Sequence, residues 1–276
     1  MTPPPAPAYL PPLAHFWAAA AATARLHVKR TDAYKIEIVR GPLTILTVFG
    51  VWRLTYGIAG REQVDGADAA GFLLVGMFGM MAWGATVWTL GYALVRERSE
   101  GTLGPLFVAP ASRVALLLGY GLGQFALMAR ALVLLGALAL ASGARLRVGD
   151  PLALLAGVLA VPAATLATGI AFAGLFLLSR RGNLLANALQ TPVWLLTGFV
   201  VPRDELHPWL QAAAAVLPVS HAVEALRAGS LRAAAFGEAA PDLALGAGTA
   251  VAWVLVAAFA LRRVEHAARR AGSLSL

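Results

Sequence analysis

The sequence contains no cysteine and only two lysines, Lys29 and Lys35. Without cysteine, the chain can form neither a disulfide nor a thiolate metal site. Neither lysine follows a glycine-rich loop, so the Gly-x-x-x-x-Gly-Lys-Ser/Thr string that binds nucleotide phosphates is missing. The five histidines lack the spacing of metal ligands, and His-Glu-x-x-His and Gly-x-Ser-x-Gly strings are absent as well. We therefore predict no metal site, no catalytic residue and no ATPase activity on this chain itself.

Charge is also scarce. Charged residues make up 13% of the sequence and hydrophobic residues 59%, whereas soluble domains average about 25% charged residues. A soluble fold could not bury this much apolar surface, so the composition predicts an all-α polytopic membrane protein. A transmembrane helix needs roughly 20 apolar residues. Six stretches are candidates for such spans: 42–59, 69–95, 114–141, 152–178, 184–201 and 243–261.

The distribution of Lys and Arg predicts how the six spans are oriented. The N-terminal segment, the loops after the second and fourth spans and the C-terminal tail hold 14 of the 22 basic residues, while the other three loops hold six. The positive-inside rule places the first set, and with it both termini, in the cytoplasm. Because this charge is spread over loops and is not gathered in a basic domain, nucleic acid is not an expected partner.

The composition divides the chain into four parts. Residues 1–12 hold six prolines and no charge, which predicts a disordered tail. Residues 13–41 mix basic and apolar side chains, which favours a cytoplasmic helix lying on the membrane surface and ending in a turn at Arg40-Gly41-Pro42. Residues 42–262 form the predicted six-helix transmembrane domain, and residues 263–276 form a basic cytoplasmic tail.

The loop between the second and third spans, residues 96–113, is the most charge-dense segment between two long apolar runs. It opens with two carboxylates and two guanidiniums and continues as a short amphipathic piece that ends at Pro110. The string Glu97-Arg98-x-x-Gly101-Thr102-Leu103 resembles the membrane subunits of type-2 ABC exporters, which carry a Glu-Arg-x-x-Gly-Thr-Leu-like string after their second span. The resemblance extends over about residues 25–262.

The resemblance implies that this loop is the cytoplasmic coupling loop, which contacts the ATPase subunits. The residues expected at that interface are Arg96, Glu97, Arg98, Glu100, Gly101, Thr102, Leu103, Leu106, Phe107 and Pro110. Gly104-Pro105 departs from the family pattern, because it shortens the helix that would engage the ATPase. The same resemblance makes residues 13–41 the elbow helix that precedes the first span.

The segment 202–242 lies outside the cell in the predicted topology, yet residues 209–217 are mostly apolar and are bracketed by Pro208 and Pro218. This run is too short to span and too apolar for a free loop, so it favours a re-entrant helix. A second short helix is predicted at 220–235. The resembled family has a re-entrant helical pair before its last span. The residues that match its turn and the following pattern are Gly198, Pro202, Pro218, Glu224 and Arg227.

Several polar residues lie within the predicted spans. Arg53 is expected to extend toward the outer interface, whereas Arg130 lies near the centre of the third span, where a charge is either functional or bonded to backbone carbonyls. Glu224 is a candidate partner for Arg130. The fifth span places polar and aromatic groups on one face, which indicates either interhelical hydrogen bonding or a lining of the translocation path. The candidate lining residues are Asn187, Gln190, Thr191, Trp194 and Arg130.

The acidic residues all lie outside the middle of the spans. Ion-coupled carriers usually need an intramembrane carboxylate, so the energy source is expected on a partner. The resemblance implies the permease subunit of an ATP-driven exporter in the cell inner or plasma membrane. It implies no cofactor on this chain, two ABC ATPase subunits that bind ATP and Mg, and a second permease copy or a sister permease. The apolar spans favour an amphipathic or lipid-like substrate. The alternative is a non-ATP membrane carrier or scaffold.

Overall fold

The computed structural model describes residues 12–33, 35–91, 101, 113–178 and 182–270. These residues are mostly helical, which confirms the all-α prediction. A hairpin of two short strands, β1 (Gln63–Val64) and β2 (Ala67–Asp68), precedes the third helix. The helices are α1 (Pro12–Ala33), α2 (Lys35–Ile58), α3 (Ala69–Thr86), α4 (Arg113–Ser142), α5 (Pro151–Leu178), α6 (Gly182–Leu196), α7 (Pro208–Ala215), α8 (Pro218–Leu231) and α9 (Phe236–Arg270).

Four of the helices in the described ranges are long and apolar enough to cross a membrane: α3 with its continuation, α4, α5 and the first part of α9. Two predicted spans fall short. The apolar part of α2 is limited to 16 residues, Leu43–Ile58, and α6 has 15 residues. The count of six spans therefore stays a prediction, because length and composition support four of them directly.

Helix α3 is the central helix of the fold. Asp68 caps its N-terminus, since the Asp68 carboxylate accepts a hydrogen bond from Gly71 N at 2.8 Å. The helix is apolar on every side, as expected for a helix enclosed by others, and nearly all of its residues are buried. It contacts α2, α4, α5 and α8. After Thr86 it continues as a π-helical segment, Val87–Gly91, which leads toward the loop 96–113.

The second half of the chain packs as a group of three helices in which α5, α8 and α9 contact one another. Aromatic side chains join this group to α3: the Trp83 and Phe172 rings lie 5.7 Å apart and the Phe172 and Trp253 rings 5.8 Å apart, both edge to face. Such pairs contribute beyond their buried area. Together with the apolar core around them, they hold α9 against the centre of the molecule.

Helix α1 packs along α4. Two glycines of α4, one turn apart, allow the close approach: a Cβ on Gly119 would lie 2.4 Å from the Ala20 carbonyl oxygen, and a Cβ on Gly123 would lie 2.8 Å from the Ala24 carbonyl oxygen. This small-x-x-x-small spacing is common where membrane helices meet. The contact also joins polar groups, because His27 Nε2 lies 2.9 Å from Gln124 Oε1.

The predicted turn at Arg40-Gly41-Pro42 is wrong. Helix α2 begins at Lys35 and continues through these residues to Ile58, so the break between the first two helices lies earlier in the chain. Proline favours a first helical turn but does not require one. Inside a helix it removes one hydrogen-bond donor and costs about 3 kcal/mol, and the chain tolerates it here.

The C-terminal boundary also differs from the prediction. Helix α9 continues to Arg270, so residues 263–270 of the predicted tail extend the last helix. Arginine and alanine are strong helix formers, and they allow the helix to continue after the apolar part ends. The rest of that tail, residues 271–276, and residues 1–11 of the predicted proline-rich tail lie outside the described residues.

The connections between α2 and α3, α4 and α5, and α6 to α9 meet at one end of the molecule, which we call the hairpin end. Arg145 N donates to Asp68 Oδ1 at 2.9 Å. Arg147 N donates to the Ser230 carbonyl at 2.8 Å, and Ala233 N donates to the Arg147 carbonyl at 3.0 Å. The three loops that the predicted topology places on one side therefore do lie together.

Asp150 joins the same end to the start of two helices. Its carboxylate accepts hydrogen bonds from Phe236 N and Leu152 N, both at 2.8 Å. Both bonds lower the pKa of the Asp150 carboxyl, and the bond from Phe236 N has the larger effect. The N-termini of α5 and α9 are thus held together by one side chain.

The glycine contact between α1 and α4 gives a matched pair of substitutions. We expect Gly119→Ala to destabilise the protein by about 1–3 kcal/mol, because the added methyl group meets the backbone of α1. Gly136→Ala in the same helix meets nothing within 4 Å and should be neutral or stabilising, since alanine favours helix by about 1 kcal/mol. Unfolding in detergent measures both. Equal effects of the two substitutions would contradict the close contact.

Candidate functional site

The turn that follows α6, residues 197–202, is the best-defined part of the predicted site. Gly198 has φ +76° and ends the helix. Gly198 N donates to the Leu195 carbonyl at 3.1 Å and Phe199 N donates to the Trp194 carbonyl at 3.2 Å. This pair of bonds around a left-handed glycine is the Schellman motif. The chain therefore turns at Gly198, the first residue of the pattern Gly198 to Pro202.

Two glycines of α3 form a notch for this turn. A Cβ on Gly76 would lie 1.8 Å from the Phe199 carbonyl oxygen, and a Cβ on Gly79 would lie 2.4 Å from the Phe199 ring. Phe199 is fully buried. A larger residue at either position would displace the turn, so α3 and the turn are fitted to each other.

Arg227 of α8 binds the same turn from the other side. Its guanidinium Nη2 donates to the Gly198 carbonyl oxygen, and the guanidinium carbon lies 3.8 Å from the centre of the Phe72 ring. The side chain is 1% exposed. Nε has no acceptor among the described residues. A buried cation in contact with an aromatic face and a carbonyl is stabilised by both.

Tyr56 of α2 adds a third contact to the turn, since its hydroxyl donates to the Val200 carbonyl oxygen. The Tyr56 and Phe72 rings lie 6.4 Å apart, edge to face. We call Tyr56, Phe72, Phe199 and Arg227 the turn cluster. It joins α2, α3 and α8 to the chain that leaves α6.

A surface ion pair lies beside the turn cluster. Arg61 donates to both oxygens of Glu205, with Nη1 and Oε2 2.9 Å apart, and its guanidinium lies 5.8 Å from the centre of the Tyr56 ring. The Arg61 hydrogen bonds lower the pKa of the Glu205 carboxyl. The pair is exposed, so its contribution to stability is small. Its geometry nevertheless fixes the chain after the turn against the end of α2.

Glu224 is paired with Arg232 at the hairpin end, and its predicted pairing with Arg130 stays a prediction. Arg232 donates to the Glu224 carboxylate and also lies 3.6 Å from Asp65. Burial raises the pKa of the Asp65 carboxyl, although Arg232 opposes this shift. Glu224 is thus held at the hairpin end by the residue that follows its own helix. Arg130 lies in α4, and its side chain is outside the described part of the chain.

Two short helices occupy the segment for which a re-entrant pair was predicted, α7 and α8, each with proline in its first turn. His221 joins them to α9: its ring nitrogens lie 3.2 Å from Asp242 Oδ1 and 3.1 Å from the Ala215 carbonyl oxygen. Trp253 Nε1 donates to the Val216 carbonyl at 2.9 Å. Pro218 lies at the junction and is buried.

The proposed lining residues lie along α6. Asn187 and Thr191 are exposed, and Gln190 and Trp194 are partly buried. Among the described residues, helix α6 contacts α5, α7 and the π-helical segment Val87–Gly91.

The predicted coupling loop lies almost entirely outside the described residues. Of residues 96–113, the structure describes only Gly101, with φ +73°, and Arg113 at the start of α4. The remaining predicted interface residues lie outside the described residues: Arg96, Glu97, Arg98, Glu100, Thr102, Leu103, Leu106, Phe107 and Pro110.

Sequence reasoning missed most of the turn cluster. It selected Arg227 and the residue whose carbonyl Arg227 binds, Gly198, but not Tyr56 or Phe72. A distant pair such as Arg227 and Phe72 leaves no periodic signal in one sequence. The Gly-x-x-Gly spacing in an otherwise apolar helix was the available signal, and it indicated a close approach without naming the partner.

The chain matches the family model of the ABC-2 type transporter over residues 15–231. This range includes the loop 96–113, the turn after α6 and all of α8. No curated protein matches the chain.

The turn cluster generates a prediction at Arg227. Lysine carries the same charge, but its compact ammonium cannot lie flat on Phe72 while it donates to the Gly198 carbonyl. We expect Arg227→Lys to lower the free energy of unfolding by about 2–4 kcal/mol. Arg203 is partly buried at the same end of the molecule. Arg203→Lys should change the free energy of unfolding by less than about 0.5 kcal/mol. A chemical denaturation series in detergent distinguishes the two variants. An unchanged free energy of unfolding in Arg227→Lys would show that the contacts of Arg227 in the turn cluster do not stabilise the fold.

Proposed function

The chain belongs to the ABC-2 type transporter family, and from this we propose that it is the permease subunit of an ATP-driven exporter. Membership makes it a membrane transport component and not itself the ATPase, and it implies association with ABC ATPase subunits and with the bilayer. The observation that carries the proposal is the family match over residues 15–231, which includes the string Glu97 to Leu103. We further propose export of an amphipathic or lipid-like substrate from the cytoplasm or the inner leaflet.

The loop 96–113 is the proposed docking site for two ATPase subunits, which bind ATP and Mg. In the sequence it begins five residues after Gly91, where the π-helical segment Val87–Gly91 that continues α3 ends. π-Helical turns are frequent at functional positions of membrane and soluble helices. A push on this loop would act first on α3, which is the central helix.

Movement of α3 would be passed to the turn after α6. The notch formed by Gly76 and Gly79 fits Phe199 so closely that the turn must follow α3. Helix α6 is covalently attached to that turn. We propose that ATP-driven closure of the ATPases displaces α3 and α6 together and opens a path, a coupling carried by packed rigid elements.

The path itself is proposed to lie between two permease subunits. The face of α6 on which Thr191 is exposed is the part that a second copy or a sister permease would cover. Polar groups on a helix that faces lipid are costly, whereas facing a partner or a water-filled passage stabilises them. Arg130 remains a candidate contact for the substrate.

The proposal is tested by reversing charge in the loop. We expect Glu97→Lys and Glu100→Lys to abolish copurification of the ATPase subunit or to uncouple ATP hydrolysis from transport, because an interfacial carboxylate is replaced by a cation. Asp204→Lys is the matched control, since the exposed Asp204 takes part only through its backbone carbonyl. The readouts are copurified ATPase and transport into inverted vesicles. Normal coupling in both loop variants would contradict the docking role.

The topology is tested separately with single cysteines, for which a chain without cysteine provides a clean background. We expect Gln63→Cys, which is exposed at the hairpin end, to react with an impermeant maleimide in intact cells. Ser99→Cys and Ser273→Cys should react only after permeabilisation, since the proposed topology has both residues in the cytoplasm. Labelling of Ser99→Cys from outside would show that the orientation is the reverse of the proposed one and that the loop cannot dock the ATPase.

A further inference from the structure

A cavity of about 400 Å³ lies at the hairpin end, between the end of α2, the start of α3 and the end of α4. Four arginines line it: Arg53, Arg61, Arg145 and Arg147. The positive-inside rule disfavours basic residues on this side of the proposed topology. Three of the six basic residues in the loops on this side nevertheless line one cavity together with Arg53 of α2, so their placement needs a reason of its own.

The carboxylates of the cavity do not balance these guanidiniums. Asp68 uses one oxygen for Gly71 N and the other for Arg145 N. Arg61 is paired with Glu205. Among the described residues, no carboxylate lies within ion-pair distance of Arg53, Arg145 or Arg147, although Glu62 also lines the cavity.

The segment that carries Arg145 and Arg147 is fixed by its backbone. Arg145 N binds Asp68, and Arg147 binds Ser230 and Ala233 through its N–H and its carbonyl. The side chains are exposed and take no part in these bonds. Cations held on a fixed backbone at the rim of a cavity form a preorganised anion site.

Two exposed apolar residues lie close to lining residues in the sequence. Ile58 directly follows Gly57, and Leu140 lies two residues before Ser142; they are 80% and 87% exposed. Both lie at the ends of helices that pack in a multi-pass membrane protein. For a ligand whose anionic group enters the cavity, Ile58 and Leu140 are the nearby exposed apolar residues that an attached hydrocarbon chain would contact.

We propose that this cavity binds the phosphate of an anionic membrane phospholipid, with the acyl chains lying on the apolar ends of α2 and α4. The planar guanidinium matches phosphate oxygens in a two-point contact. The phosphodiester is also the anion that a bilayer presents at the level where transmembrane helices end. The assignment rests on insertion of α2 and α4 in the bilayer and is independent of the proposed ATPase docking.

The test uses the full-length protein and phosphatidylglycerol. The protein is purified in detergent, exchanged into mixed micelles that contain phosphatidylglycerol, and examined by native mass spectrometry for retained lipid at fixed ionic strength. Removal of one cationic contact to an anionic lipid should weaken retention roughly fivefold, and removal of two roughly 30-fold. Arg147→Gln and the double variant Arg145→Gln/Arg147→Gln provide these two steps.

Arg203→Gln is the matched control, because it removes one guanidinium from the same end but outside the cavity. It should retain phosphatidylglycerol as the unmodified protein does. Equal retention by Arg147→Gln and Arg203→Gln would overturn the proposal. If the double variant does not elute as a single species, Arg53→Gln replaces it, and full retention by Arg53→Gln and Arg147→Gln would count equally against the site.

Inorganic phosphate separates the two sources of the same chemistry. We expect an excess of inorganic phosphate to leave phosphatidylglycerol bound, because the free ion lacks the acyl chains that contact α2 and α4. Displacement of the lipid by inorganic phosphate in the unmodified protein, and not in Arg147→Gln, would mean that the cavity selects the free anion. That result would overturn the lipid assignment.

Discussion

The fold depends on one buried cation, the guanidinium of Arg227. Taking an unpaired charge out of water costs several kcal/mol, and no carboxylate of the described residues binds it directly. The Phe72 ring and the Gly198 carbonyl stabilise it instead, and each requires its own element to be in place. Helix α8, helix α3 and the turn after α6 are thereby fixed relative to one another, since loss of any one would leave the charge unsatisfied.

This constraint explains why the glycines of α3 lie where they do. Arg227 holds the Gly198 carbonyl from one side, so the following residue, Phe199, must pass directly over α3. Gly76 and Gly79 provide the space. The positive φ of Gly198 is needed at the same point, because an L side chain would be strained there and would meet the guanidinium at about 3.1 Å. One contact thus limits which residue types fit at positions that lie far apart in the sequence.

The length of the apolar runs in the sequence predicted much of the fold but little of the candidate site. The long runs at 114–141 and 152–178 coincide with α4 and α5 almost to the residue, because lipid-facing helices need about 20 apolar residues in sequence. Arg227 could be selected from its family pattern, but its contact with Phe72 depends on the packing of α8 on α3. Proline gave a misleading boundary at Pro42, where a local preference was overridden by the helix around it.

The two ends of α3 differ in how they are held. At the hairpin end, Asp68 caps the helix and also binds Arg145 N, so the start of α3 is tied to the segment after α4. At the other end, the π-helical segment is held through Thr89, whose hydroxyl donates to Gln124 Oε1 at 3.2 Å. Gln124 lies within α4, and Arg145 follows the end of α4. Among the described residues, α3 is therefore bonded to α4 or to the segment directly after it at both of its ends.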